Sequence, residues 1–167
     1  NAFLTLTYDP EHLPPLKQVT DVNTGEMFEW PSLVPDDLTK FLKDLRRYYK
    51  HHYDFDNIRF YACGEYGEEG GRPHFHLILF NLPIPDKVYL YTNHEQEKIY
   101  ISPSLSKIWK KGIVGIGEVS WNSAAYVARY VVKKQKGDTA GLVELPCNKL
   151  VKGIEPEFVR MSRKPGI

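Results

Sequence analysis

The stretch from Ile58 to Phe80 constrains this chain more than any other. It reads Ile-Arg-Phe-Tyr-Ala-Cys-Gly-Glu-Tyr-Gly, then Glu-Glu-Gly-Gly-Arg-Pro, then His-Phe-His-Leu-Ile-Leu-Phe. Two strand-forming runs flank a turn punctuated by Gly and Pro, which predicts a hairpin of neighbouring antiparallel strands. On the second strand the two-residue period sends His74 and His76 to one face and Phe75, Leu77 and Leu79 to the other, into a core. Glu65 stands just before the turn on the first strand, within reach of both imidazoles across the ladder. Two neutral imidazoles and a carboxylate on a rigid sheet make a three-ligand metal site with positions left for water and substrate. A lone strand histidine is more often structural. The carboxylate shifts that balance, because beside an apolar face it is costly unless paired or ligated.

With 167 residues, 42% of them hydrophobic, the chain suits a single globular domain, 1–167, with a real core. It has no apolar run of bilayer-spanning length and no signal-peptide layout, so no membrane partner is expected. Cys63 and Cys147 are far apart and outside any metal-ligand spacing, and read as reduced thiols of an intracellular protein. The net charge of +1 conceals an asymmetry. Residues 1–102 hold 10 Lys/Arg against 16 Asp/Glu and residues 103–167 hold 12 against 5, giving −6 and +7. A basic surface for a polyanion is therefore expected mostly in the C-terminal part.

In chain order, Ala2 to Tyr8 reads as a strand that starts without a lead-in, as expected of a fragment trimmed at both ends. Asp9 to Pro35 reads as a long connection with a small hairpin around Asn23, Thr24 and Gly25. A helix follows Pro35 and runs to about Lys50, with Leu38, Phe41, Leu42, Leu45, Tyr48 and Tyr49 as its apolar stripe. Asn81 to Pro103 reads as irregular apart from a short strand at Val88 to Tyr91. Ser104 to Lys110 is predicted to be a short helix ended by Gly112, and Ile113 to Trp121 another strand, in which glycines allow close backbone approach.

A second informative stretch runs from Asn122 to Gln135, where Asn122 or Ser123 is expected to cap a helix. Tyr126 and Tyr130 stand at i and i+4, on one face, with Arg129 and Lys133 in a neighbouring row. Such a pair is more often packing than chemistry. A phenol with a pKa near 10 attacks poorly at neutral pH unless a cation stabilises the phenolate or its target phosphate. Two phenols, adjacent cations and a metal site together suggest phosphodiester transesterification.

These motifs, in this order, resemble the replication initiators of the HUH (His-hydrophobic-His) endonuclease superfamily, in particular those of small single-stranded DNA phages, the gokushovirus-like microviruses. The resemblance is carried by Phe3-Leu4-Thr5-Leu6-Thr7-Tyr8, Gly64-Glu65-Tyr66-Gly67, Gly71-Arg72-Pro73-His74-Phe75-His76, Tyr126-Val127-Ala128-Arg129-Tyr130-Val131 and Met161-Ser162-Arg163-Lys164-Pro165-Gly166. It implies an α+β fold, a central antiparallel sheet of about five strands with helices packed on one face. It also implies a divalent ion, Mg²⁺ or Mn²⁺, held by His74, His76 and Glu65, with Glu68 and Glu69 as weaker candidates. The implied activity is rolling-circle initiation in a bacterial cytoplasm: a tyrosine attacks single-stranded origin DNA, leaving a 5′-phosphotyrosine and a free 3′-hydroxyl for host helicase and polymerase.

Tyr126, Tyr130 and Lys133 would be the catalytic residues, and the Tyr130/Lys133 spacing favours Tyr130 as the phenol with the better-placed cation. Arg72, Lys110, Lys111, Arg129 and Lys134 are expected to meet DNA phosphates, with Lys107, Lys136, Arg160, Arg163 and Lys164 as further contacts. Tyr66 and Trp121 are expected to stack on bases. Four other readings share parts of the pattern: a non-catalytic single-stranded nucleic-acid binder, a metal-dependent hydrolase with water as nucleophile, an HUH transposase, and a relaxase. The relaxase is disfavoured by the order of the motifs.

Overall fold

The computed structural model describes residues 1–68, 70–132 and 141–162, and of residues 130–132 and Cys147 the backbone alone. Strand β1 (Ala2–Thr7) runs through the middle of a large antiparallel sheet, with Ala2, Leu4 and Leu6 buried on one side. On one flank it pairs with β5 (Pro73–Phe80), which pairs with β4 (Arg59–Tyr66). On the other flank lies β8 (Val114–Glu118). The edges are β11 (Phe158–Met161), beyond β4, and a hairpin of β6 (Val88–Thr92) and β7 (Lys98–Ile101), beyond β8. The order is β11-β4-β5-β1-β8-β7-β6.

The expected α+β class with an antiparallel sheet is borne out. The sheet has seven strands where about five were expected, and β7 falls in chain expected to be irregular. Its sequence, Lys-Ile-Tyr-Ile, is short, and polar residues set it apart from β6, so a period-2 pattern hardly shows. A second sheet, of β2 (Leu16–Asp21), β3 (Met27–Pro31), β9 (Val143–Leu145) and β10 (Lys149–Lys152), runs in the order β3-β2-β10-β9. The small hairpin expected near Asn23 is its β2–β3 pair, with Val19 opposite Phe28. The long connection is therefore largely strand, and it feeds Val19 into the same core as Val143, Leu145 and Val151.

Helix α1 (Pro35–Tyr53) buries Leu38, Phe41, Leu42, Leu45 and Tyr49 against the Leu4, Leu77 and Leu79 side of the sheet. At roughly 1.5–3 kcal/mol for each fully buried large apolar side chain, that stripe holds the helix in place. Its basic residues serve the helix itself: Lys50 pairs with Asp54 at 2.7 Å, Arg47 with Asp44, and the Arg46 guanidinium lies over Phe60. Helix α2 (Pro103–Trp109) packs beside α1, its Trp109 edge-on to Phe41 and Phe75. Lys110, not Gly112, ends α2: it adopts the left-handed conformation and returns its N–H to Ser106. Gly112, at φ 152°, works one step later, where an added Cβ would collide with the Thr7 carbonyl.

Helix α3 (Trp121–Val132) lies across the other face of the sheet. The reason is Cys63 and Ile78, which point to the histidine side yet are apolar. Val127 covers them and is itself fully buried. The cap is Ser120 rather than Asn122 or Ser123 alone: Ser123 N–H donates to the Ser120 hydroxyl oxygen at 3.1 Å, and Ser120 N–H to that of Ser123 at 2.8 Å.

Candidate metal and tyrosine site

Register builds the site. Glu65 opposes His74 directly, and His76 is flanked by Cys63 on β4 and Thr5 on β1. The turn between β4 and β5 closes through Gly71, at φ 58°, where a Cβ would stand 2.5 Å from the Trp30 ring. Trp30 Nε1 in turn donates to the Gly71 carbonyl at 2.9 Å, so the second sheet braces the turn that delivers His74.

Glu65 Oε1 lies 2.6 Å from His74 Nε2 and 2.8 Å from His76 Nε2, and the two Nε2 atoms are 3.1 Å apart. The far side of each ring is fixed. His74 Nδ1 faces the Arg72 carbonyl at 3.0 Å; a carbonyl only accepts, so Nδ1 carries a proton and Nε2 is turned to the centre. His76 Nδ1 meets Thr5 Oγ1 at 3.0 Å, and Phe3 stacks on the same ring at 5.2 Å. Above this triad, α3 brings Tyr126, whose hydroxyl donates to Glu65 Oε1 at 2.7 Å and whose ring meets His76 edge-on. The Arg129 guanidinium lies 4.5 Å over the Tyr126 ring.

Burial dominates the electrostatics. It would raise the Glu65 carboxyl, but hydrogen bonds with His74 and His76 hold it down to about 2, so it is a carboxylate. It lowers His76, keeping that ring neutral. It would also lower His74, yet contact with the Glu65 carboxylate outweighs it, and His74 ends above its ordinary 6.5. Burial and the hydrogen bond to Glu65 both push the Tyr126 phenol well above its usual range.

Glu65 is 0% exposed, and its second oxygen, Oε2, is buried without a hydrogen-bond partner. A buried carboxylate oxygen with nothing to accept from is expensive, and here it adjoins two imidazoles already oriented by outer partners. Three ligand atoms within 4.8 Å of one another therefore fit a divalent cation. If Thr5 orients His76 for an ion, Thr5→Ala will weaken Mn²⁺ binding by about 10–100-fold in calorimetry without unfolding the sheet.

The proton on His74 stabilises the metal-free fold below pH 6.5, and that contribution is lost as pH rises through the raised value. An ion needs Nε2 free of that proton, so metal affinity gains over the same window. The rise in Tm produced by Mn²⁺ should accordingly be small near pH ~5.5 and grow towards pH ~8 in thermal scans. A Tm rise independent of pH would mean that His74 does not bind the ion.

A family model for replication-associated proteins of the ORF2 type matches residues 1–135. The chain belongs to this family. It is 35% identical over 167 residues to the replication-associated protein ORF2 of Spiroplasma virus 4, covering 100% of this chain and 46% of that protein. It is 34% identical over 137 residues to the replication-associated protein VP4 of Bdellovibrio phage phiMH2K, 80% of this chain and 39% of the relative. It is 36% identical over 138 residues to the replication-associated protein ORF4 of Chlamydia phage 1, 80% and 31%. The chain thus spans less than half the length of these relatives. No solved structure matches it. The microvirus replication resemblance read from the motifs holds.

The structure of this replication-associated chain brings Glu65, His74, His76, Tyr126 and Arg129 together. Tyr130 is helical one turn after Tyr126, but its side chain lies outside the described residues, as do Lys133, Lys134, Lys136, Arg163, Lys164 and Glu69 entirely. Glu68 is exposed in the turn. Arg72 is exposed and donates to the Tyr8 carbonyl at 3.0 Å. Lys110 is exposed at the end of α2, and Lys111 pairs with Asp37 of α1 at 3.3 Å. Arg160 is engaged by Thr39 at 2.7 Å.

Tyr66 is no stacking platform. It is buried, with its hydroxyl accepting from Leu33 N–H and donating to the Glu155 carbonyl, because the second sheet covers the end of β4. Trp121 is 87% exposed. Sequence reasoning missed Thr5 and Phe3; their signal was the alternation of β1, which places Phe3, Thr5 and Thr7 on the histidine face.

Proposed function

We propose that this chain is the nicking domain of a rolling-circle replication initiator, an HUH endonuclease that cuts single-stranded origin DNA by tyrosine attack. The observation that carries the reading is Tyr126 Oη at 2.7 Å from a carboxylate shared by two histidines. A hydrolase using water has no need of a phenol there, and a passive binder needs neither the phenol nor the buried carboxylate.

His74, His76 and Glu65 would hold the ion, Mn²⁺ or Mg²⁺, the imidazole pair favouring Mn²⁺ of the two. When bound, it would polarise the scissile phosphate and stabilise the charge that builds up during attack. The chain's own residues do the rest. The hydrogen bond to Glu65 aims the Tyr126 hydroxyl at the triad and keeps it protonated at rest. Arg129, over the ring, supplies positive charge that favours the phenolate as the proton leaves. The phenolate oxygen forms the bond to phosphorus, the bond to the 3′-oxygen breaks, and that oxygen takes up a proton. A 5′-phosphotyrosine and a 3′-hydroxyl result, with no net change in the number of phosphoester bonds, so the reverse reaction rejoins ends. Tyr130, one turn on, would provide a second nucleophile for the following round. The site of action would be the cytoplasm of a bacterial host, with host helicase and polymerase using the freed 3′ end. No helix among the described residues is long and apolar enough to cross a membrane.

The test is to incubate the protein with end-labelled single-stranded DNA tiled across the source genome's origin region, with Mn²⁺ or EDTA, on denaturing gels. A protein–DNA adduct that requires Mn²⁺ is expected. Cleavage without an adduct would instead identify a hydrolase, and binding without cleavage of origin DNA a passive binder.

A further inference from the structure

Strand β8 carries glycine at both of the positions where side chains would rise on the histidine face, Gly115 and Gly117, beside Val114 and Ile116 buried in the core. Neither has a positive φ, and a Cβ at either would meet nothing closer than 3.8 Å, an Ile99 atom in each case. Backbone and packing therefore do not demand glycine, and glycine inside a strand weakens it. What the missing side chains leave is room: a groove of about 800 Å³ floored by Thr5, Gly115 and Gly117, and bordered at the catalytic centre by His76 and Tyr126.

Its lining is apolar at Phe3, Tyr91 and Ile99 and acidic at Glu95, Glu97 and Glu118, against one guanidinium, Arg129. Such a charge balance repels phosphate and suits a flat, uncharged group that offers N–H donors. Glu97 is the best-positioned acceptor. It is half-buried, its Oε2 accepting from Asn93 Nδ2 at 3.2 Å and its Oε1 from Ser120 Oγ at 3.4 Å. These bonds pin it between the β6–β7 turn and the start of α3, and each carboxylate oxygen retains a second lone pair.

The geometry points to a seat for one unstacked nucleobase of the substrate strand, lying on Gly115 and Gly117 beside the scissile phosphate and donating its exocyclic amine to Glu97. This rests on the nicking function proposed above and adds base selectivity to it. Cytosine, adenine and guanine carry the amine. Thymine does not, and would turn a carbonyl oxygen towards the carboxylate, leaving both acceptors unpaired.

Fluorescence anisotropy with labelled oligo(dC), oligo(dA) and oligo(dT), in EDTA so that no strand is cut, tests this on the wild-type chain, Gly117→Leu and Glu97→Gln. The wild type should hold oligo(dC) and oligo(dA) about tenfold more tightly than oligo(dT), the order expected of one directional base contact, and Glu97→Gln should shrink that to about twofold or less. Gly117→Leu should lose about tenfold or more for oligo(dC) through steric filling, with Tm no lower than wild type and Mn²⁺ binding unchanged.

Equal wild-type affinity for the three oligonucleotides, or a folded Gly117→Leu that binds as wild type does, overturns the base seat. The metal-dependent adduct assay separates this from the nicking reading. If adducts form on origin DNA while neither variant alters binding, only the base seat falls. If the preference is present but no adduct forms, the nicking reading falls and the groove serves a binder.

Discussion

His76→Ala is expected to abolish the Mn²⁺-dependent adduct, lowering its rate of formation by at least about a hundredfold, more than the loss of an outer partner of a metal ligand costs. His76 faces the centre through Nε2, 2.8 Å from Glu65, and is held by Thr5 and Phe3 on β1, so no neighbouring side chain can swing into its place. Its removal also leaves Glu65 buried with one imidazole fewer. A carboxylate so exposed to desolvation destabilises the sheet, and a drop in Tm is expected alongside the activity loss. Glu65→Gln separates the two effects, because the amide keeps the volume, removes the buried charge and is a poor metal ligand. It should lose the adduct as fully as His76→Ala while losing less Tm. If either variant retains metal-dependent adduct formation within about tenfold of wild type, the triad does not hold the ion that cleavage uses.

Much of this site was legible in the chain because its ligands are local. His74 and His76 are two residues apart on one strand and Glu65 lies across a single turn, so strand period and hairpin pairing suffice to bring them together. The tyrosine helix was legible as a helix, but its docking was not. That follows from Cys63 and Ile78, two apolar residues among polar ones on the histidine face, which require a cover no local pattern specifies. Residues joined only by non-local pairing were lost. Thr5 meets His76 across 71 positions of sequence, and Tyr66 is buried by a second sheet whose strands come from residues 16–31 and 143–152. The same holds for Glu97, which faces the groove only because the β6–β7 hairpin extends the sheet and touches Ser120. Gly115 and Gly117 are legible as glycines that permit close approach. Their role as an open floor depends on knowing which face of β8 looks at the histidines.

The tyrosine pair gives the second large effect. Tyr126→Phe is expected to slow the first cleavage by about a thousandfold or more in single-turnover assays, as loss of a nucleophile does, whereas Tyr130→Phe should leave that first event within about tenfold. The ground is position: the Tyr126 hydroxyl already touches the carboxylate shared by both imidazoles, and Arg129 lies over its ring. Against it stands the spacing of Lys133 from Tyr130, which favours the later phenol by its cation. The two readings part on one gel. If Tyr130→Phe loses the first adduct and Tyr126→Phe keeps it, Tyr126 is a positioning residue that orders Glu65, and the lysine spacing identifies the nucleophile. If each single variant forms an adduct and only the double variant forms none, the phenols are interchangeable in the first cut. The loss in each single variant should then appear in the second, when a strand already held by one tyrosine must be released by attack from the other.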